Sequence, residues 1–143
     1  PIAQGEPMDY EKMTAPCGLA CFDCVVYLAD EDEELRALVS KQLGIPEKDV
    51  GCPGCREVHG KCPVVSMECT VYPCAQKRGV AFCCDCLDFP CDSLHPYADQ
   101  ASSLPHNTKV FNLCLIKKMG VEAWARHKAK SVKEVYFRGK WRM

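Results

Sequence analysis

Apolar residues recur at helical spacing in only part of the chain. Leu35, Leu38, Val39 and Leu43 share one side of a helix that runs to about Gln42. Asp30 is its expected cap, with Glu33 three residues on as an acidic variant of the capping box, and Gly44 with Pro46 ends it. A short helix is expected from Thr70 to about Arg78, closing at Gly79, and Cys91-Asp-Ser-Leu opens another helical turn. Further on, Val110, Phe111, Cys114, Leu115 and Met119 form an apolar stripe that Gly120 interrupts. Residues 121–130 then read as a helix with Trp124 turned inward.

Between Val50 and Cys69 this periodicity fades. Gly51, Pro53, Gly54, Gly60 and Pro63 punctuate a stretch with too few apolar side chains to fix its own loops. No segment approaches the roughly 18 consecutive apolar residues of a membrane-spanning helix, so no membrane role is expected.

Cysteine changes the picture. Thirteen of 143 residues are cysteine, a density found in disulfide scaffolds and metal-cluster proteins. The odd count, the lack of an apolar leader in residues 1–16, and the pairs Cys21/Cys24, Cys52/Cys55 and Cys83/Cys86 favour metal and a reducing, cytoplasmic location. The expected ligands are Cys17, Cys21, Cys24, Cys52, Cys55, Cys62, Cys69, Cys74, Cys83, Cys86 and Cys91. Structural zinc closes its tetrahedron with four such ligands, so two or three Zn2+ per chain are expected. Iron–sulfur is the alternative: Cys17-x3-Cys21-x2-Cys24 has the spacing that holds an open four-iron cluster, but without the succession of strands that normally surrounds one. Spacing leaves the partition of cysteines among ions open. A local set of Cys52, Cys55 and Cys62 with Cys69 or Cys74 is one choice. Cys83, Cys86 and Cys91 would then join Cys74 or the N-terminal group. His59 could replace a thiolate, Cys84 is set aside as a non-ligand, and Cys114 is expected to be a core thiol.

Four blocks together resemble the domain of unknown function 3795 family of cysteine-rich bacterial and archaeal proteins. They are Cys17-Gly-Leu-Ala-Cys-Phe-Asp-Cys-Val-Val-Tyr27, Cys52-Pro-Gly-Cys-Arg56, Cys74-Ala-Gln-Lys-Arg-Gly-Val80 and Cys83-Cys-Asp-Cys-Leu-Asp-Phe-Pro-Cys91. The resemblance implies zinc binding without an established reaction. It carries over to Cys17, Cys21, Cys24, Cys52, Cys55, Cys74, Cys83, Cys86 and Cys91, while Cys84 stands where a small residue is more usual.

The expected fold is therefore a small metal-stabilised domain, mostly α with irregular zinc-knuckle loops, over residues 14–130. Its metal sites lie in 17–91, helical support in 107–130, and a basic aromatic C-terminal tail in 131–143. Without metal, residues 17–91 are expected to lose their fold. Eighteen basic against nineteen acidic residues give a net charge of -1. The basic run from Lys117 to Arg142 lacks the interleaved aromatics of a base-stacking surface, so a nucleic-acid partner is not expected. The histidines 59, 95, 106 and 127 fall in no hydrolase pattern. A structural-zinc protein acting as a binding or adaptor module, with a protein partner, is the leading expectation. Metal handling or thiol-based sensing, and a zinc- or iron–sulfur-dependent enzyme, are the alternatives.

Overall fold

The computed structural model describes residues 7–63, 68–99 and 101–141. They form a mostly helical domain with no strands, apart from an isolated antiparallel bridge between Thr14 and Ala20. Six α-helices follow in order: α1 (Val25–Leu28), α2 (Glu33–Leu43), α3 (Val71–Arg78), α4 (Lys109–Met119), α5 (Val121–His127) and α6 (Ala129–Arg138). Short 3-10 turns at Cys21–Asp23, Cys83–Asp85 and Asp92–Leu94 carry or adjoin cysteines.

Helix α2 begins two residues later than its charge pattern suggests. Asp32, not Asp30, caps it, accepting the Leu35 N–H at 3.0 Å. Asp30 is drawn away because its carbonyl accepts from Arg36 Nη2 at 2.6 Å, while Arg36 Nε reaches Ala29 O at 3.1 Å. The same guanidinium pins α2 to the end of α1. Gly44 and Gly79 close α2 and α3 at φ 68° and 67°, a conformation that costs most other residues.

The apolar side chains gather in two cores. The main one centres on Trp124 and Leu113, both fully buried, with Ala15, Val71, Phe82, Leu94 and Ile116 around them. A smaller one holds Val26, Ala29, Val39 and Val50, flanked by Leu35, Ile45 and Val58. Two expected stripes need correction. On α2 only Val39 is buried, and Leu38 and Leu43 stand about half exposed. On α4 the inward face is Asn112, Leu113 and Ile116, whereas Phe111 and Cys114 face solvent.

A buried polar junction explains the α4 register. Asn112 Nδ2 donates to Gly18 O at 2.9 Å, and Trp124 Nε1 donates to Asn112 Oδ1 at 3.2 Å. Gly18 has φ 90°, and a Cβ there would lie 2.9 Å from both Leu113 Cγ and Lys109 O. The first cysteine loop thus seats directly on α4. The expected C-terminal tail begins inside α6, which packs on α5 and the 105–108 turn. Its Lys133 reaches the Cys21–Asp23 turn, 2.7 Å from Asp23 Oδ2 and 2.8 Å from Asp23 O.

Candidate metal centre

Cys74 projects from α3, Cys83 and Cys86 from the turn that follows Phe82, and Cys91 from the start of the next turn. These four thiols line one cavity of about 320 Å³, together with Arg78, Asp88, Phe89 and Leu94. Gly79 makes this possible by turning the chain back after α3, so that α3 and the 83–91 loop enclose the same space. Cys86 receives the most donors: Arg78 Nη1 at 3.3 Å and the Asp88 N–H at 3.5 Å. Asp88 in turn holds Arg78 in place through an ion pair of 2.7 Å. Cys83 has its pKa pushed up to about 12, first by burial and then by the negative charge that Cys17, Cys91, Cys74 and Cys86 would carry.

A second group of sulfurs forms around Cys21. The Cys55 N–H points at Cys21 Sγ at 3.4 Å. The Cys55 thiol also hydrogen-bonds Cys21, which lowers the Cys21 pKa to about 7 against the opposing effect of burial. The same bond raises Cys55, which keeps its proton. Cys52 pairs with Cys62 in the same way and is likewise raised, by that hydrogen bond first and burial second. Cys24 lies close enough for the charges of Cys21 and Cys62 to act on it, but is exposed.

Backbone geometry around the sulfurs repeats. The N–H two residues on serves each of Cys17, Cys24, Cys52 and Cys86, from Leu19, Val26, Gly54 and Asp88 respectively. Amide donors at sulfur stabilise the thiolate over the thiol, the form that binds metal. Glycine permits one of these knuckles, since Gly54 has φ 116°.

The remaining cysteines separate by surroundings. Cys17 is buried in the main core, and burial pushes its pKa up to about 11. Cys69 accepts the Tyr72 N–H at 3.5 Å and lies near enough to Cys17 to act on its charge. Cys84 is buried in the main core, where Asp85, Lys117 and Cys114 are its charged or ionisable neighbours. Cys114 is exposed, not the core thiol its stripe suggests. His59 is also exposed, with φ 55°, and sets its ring edge-on to Tyr72 at 5.8 Å. No disulfide is formed among these cysteines. Among the described residues, no three His, Cys, Asp or Glu side chains converge tightly enough to hold a metal ion as they stand. By donor chemistry, clustered thiols with amide N–H groups on sulfur fit a thiophilic cation such as Zn2+.

Two arginines that carry no sequence signal beyond their place beside cysteines organise this region. Arg56 Nε donates to Thr14 O at 2.8 Å and Glu11 O at 3.1 Å, and its Nη2 donates to Ala81 O at 2.6 Å. Its guanidinium also stacks over Phe82 at 5.0 Å. It thereby ties the Cys52–Cys55 knuckle to the segments that lead into both other cysteine blocks. Arg78 performs the corresponding task at the cavity.

The model of a protein family of unknown function, DUF3795, matches residues 13–96. That span includes every cysteine except Cys114. No curated protein and no solved structure matches the chain significantly.

Proposed function

The chain belongs to the DUF3795 family, and we propose that it is a structural-zinc module whose thiolate centre at Cys74, Cys83, Cys86 and Cys91 shapes a surface for a protein partner. The observation that carries this reading is that those four cysteines, from α3 and the two turns after it, line a single cavity. The donors from Arg78 and the Asp88 amide onto Cys86 support it, because they orient that sulfur as second-layer hydrogen bonds orient a metal ligand. Zinc would neutralise the sulfurs and fix the 83–91 loop, which carries Leu87 fully exposed at its tip. On this reading Leu87 is the apolar contact that the loop offers a partner. Cysteines kept reduced for metal belong to a reducing compartment, in keeping with a cytoplasmic protein.

Elemental analysis and a UV–visible spectrum of anaerobically purified protein test the reading. Zinc bound stoichiometrically with no charge-transfer band in the visible is the expected result. Brown protein containing iron and sulfide would replace zinc with an iron–sulfur cluster, and metal-free protein that keeps its fold would overturn the reading.

A second reading, thiol-based sensing, is favoured by one observation. Cys21, with its pKa lowered to about 7, is hydrogen-bonded to the protonated Cys55. A thiolate hydrogen-bonded to a thiol is the pair that a two-electron oxidant would join as a disulfide. Reversible loss of two thiols under mild oxidant, mapped to this pair, would support it.

A further inference from the structure

We propose that Cys84 and Cys114, which stand outside the candidate metal ligands, are a redox pair: an exposed thiol on α4 that hydrogen peroxide oxidises, and a buried partner that closes a disulfide onto it. Neither the metal reading nor the Cys21/Cys55 pair is needed for it.

Packing brings the two cysteines together. The turn at Cys83–Asp85 rests on α4, with Cα atoms of the two elements within 8 Å of each other. Cys84 is 8% exposed and belongs to the main core, in the same cluster as Leu113, the residue before Cys114. On α4, Cys114 shares one side of the helix with Val110, one turn before it, and Lys117, one turn after. Val110 packs against the main core, and Lys117 Nζ lies 3.0 Å from Oδ1 of Asp85, the residue after Cys84. Cys114 thus stands at the edge of the contact between helix and turn, and it is exposed. It also lies close enough to Cys84 for its charge to act there. An accessible thiol beside a sheltered one is the arrangement in which a first oxidation is resolved within the chain.

The Cys114 thiolate attacks one peroxide oxygen. An S–O bond forms, the O–O bond breaks, and the departing hydroxide takes a proton from solvent and leaves as water. The Cys84 sulfur then attacks Cys114 Sγ. The S–S bond forms, the S–O bond breaks, and the second hydroxide leaves as water with the Cys84 proton. Two thiols lose two electrons, and one peroxide is reduced to two waters. The new bond joins α4 to a turn that the Cys83 N–H already ties to Pro16 O at 2.9 Å. Because Cys83 also lines the cavity, oxidation on the outside of α4 stiffens one of the cavity's walls.

Mass spectrometry tests the pairing on full-length protein treated with substoichiometric hydrogen peroxide, alkylated, and digested without reduction. The expected product is a cross-linked peptide joining Cys84 to Cys114, lighter than the separate peptides by two hydrogens and split by dithiothreitol. Cys84→Ser should leave Cys114 as a sulfenic acid that dimedone traps, whereas Cys114→Ser should leave Cys84 a thiol. The cross-link is read on the wild-type chain, so a variant that fails to fold does not decide the matter. A disulfide between Cys21 and Cys55 alone, with Cys84 and Cys114 both recovered alkylated, would overturn the pairing and leave the sensing reading intact. Linkage of Cys114 to another cysteine or to a second chain would overturn it as well. So would conversion of Cys114 to its sulfinic acid with Cys84 still alkylated.

Discussion

Gly18 shows how much of this fold depends on single atoms. Its carbonyl is the acceptor for Asn112, its φ of 90° places it in the left-handed region, and its missing Cβ is the space that Leu113 and Lys109 occupy. Gly18→Ala should therefore destabilise the protein by about 3 kcal/mol, combining left-handed strain with overpacking. Urea denaturation of the metal-loaded protein measures it. Asn112→Ala removes the acceptor of the buried Trp124 N–H and should cost about 2–3 kcal/mol by leaving that donor unpaired. Trp124 fluorescence follows the loss directly. Cys17 sets a pH dependence. Its folded pKa is raised from 9.0 to about 11, chiefly by burial. In the unfolded chain the thiol ionises first, so this contribution to stability is complete below pH ~9 and lost as pH rises towards 11. Reduced, metal-loaded protein should show a falling denaturation midpoint across that window, and Cys17→Ala should flatten the slope.

Among the elements, α2 and α3 were largely legible because their punctuation is strong: Gly44 and Gly79 stop them where the sequence says they should. The cap of α2 was less so. Asp30 and Asp32 are equally good caps by type, and the choice falls to Arg36, which occupies the Asp30 carbonyl. Asp32→Ala should cost about 1 kcal/mol, read as faster amide exchange in the first turn of α2, while Asp30→Ala leaves that turn protected. The α4 stripe misled for a different reason. Hydropathy assigns Asn112 to the outside, yet its amide is satisfied by Gly18, Thr108 and Trp124 within the protein. A polar residue with such distant partners has no local signature. Helix α6 was hidden by its basic residues, one of which, Lys133, is an anchor to Asp23 rather than part of a solvated tail.

At the scale of the molecule, the cysteine count and Cys-x-x-Cys spacing single out candidate ligands without dividing them. The division depends on long-range packing: Cys21 meets Cys55 across 34 residues, and Arg56 brings residues 11–14 beside Ala81. Neither contact can be read from spacing. Arg56→Lys keeps the charge but loses the fork that serves three carbonyls, and should lower stability by about 1–2 kcal/mol. If metal holds the cysteine region, a strong chelator under reducing conditions should abolish amide protection through residues 17–91. Protection in α4 and α5 should fall less, since Trp124 and Leu113 lie between these helices. Hydrogen exchange before and after chelation separates the two regions.

The bond between Asn112 and Gly18 spans 94 residues, and that distance has a meaning during synthesis. Chains elongate at roughly 5–20 residues per second. For about 5–20 s after the first cysteine loop is made, the helix it must rest on does not yet exist. Through that interval its thiols are available to any passing oxidant or ion. The N-terminal loop must therefore wait for α4 before it can take its final place, and the order of translation runs opposite to the order in which this part of the protein is completed.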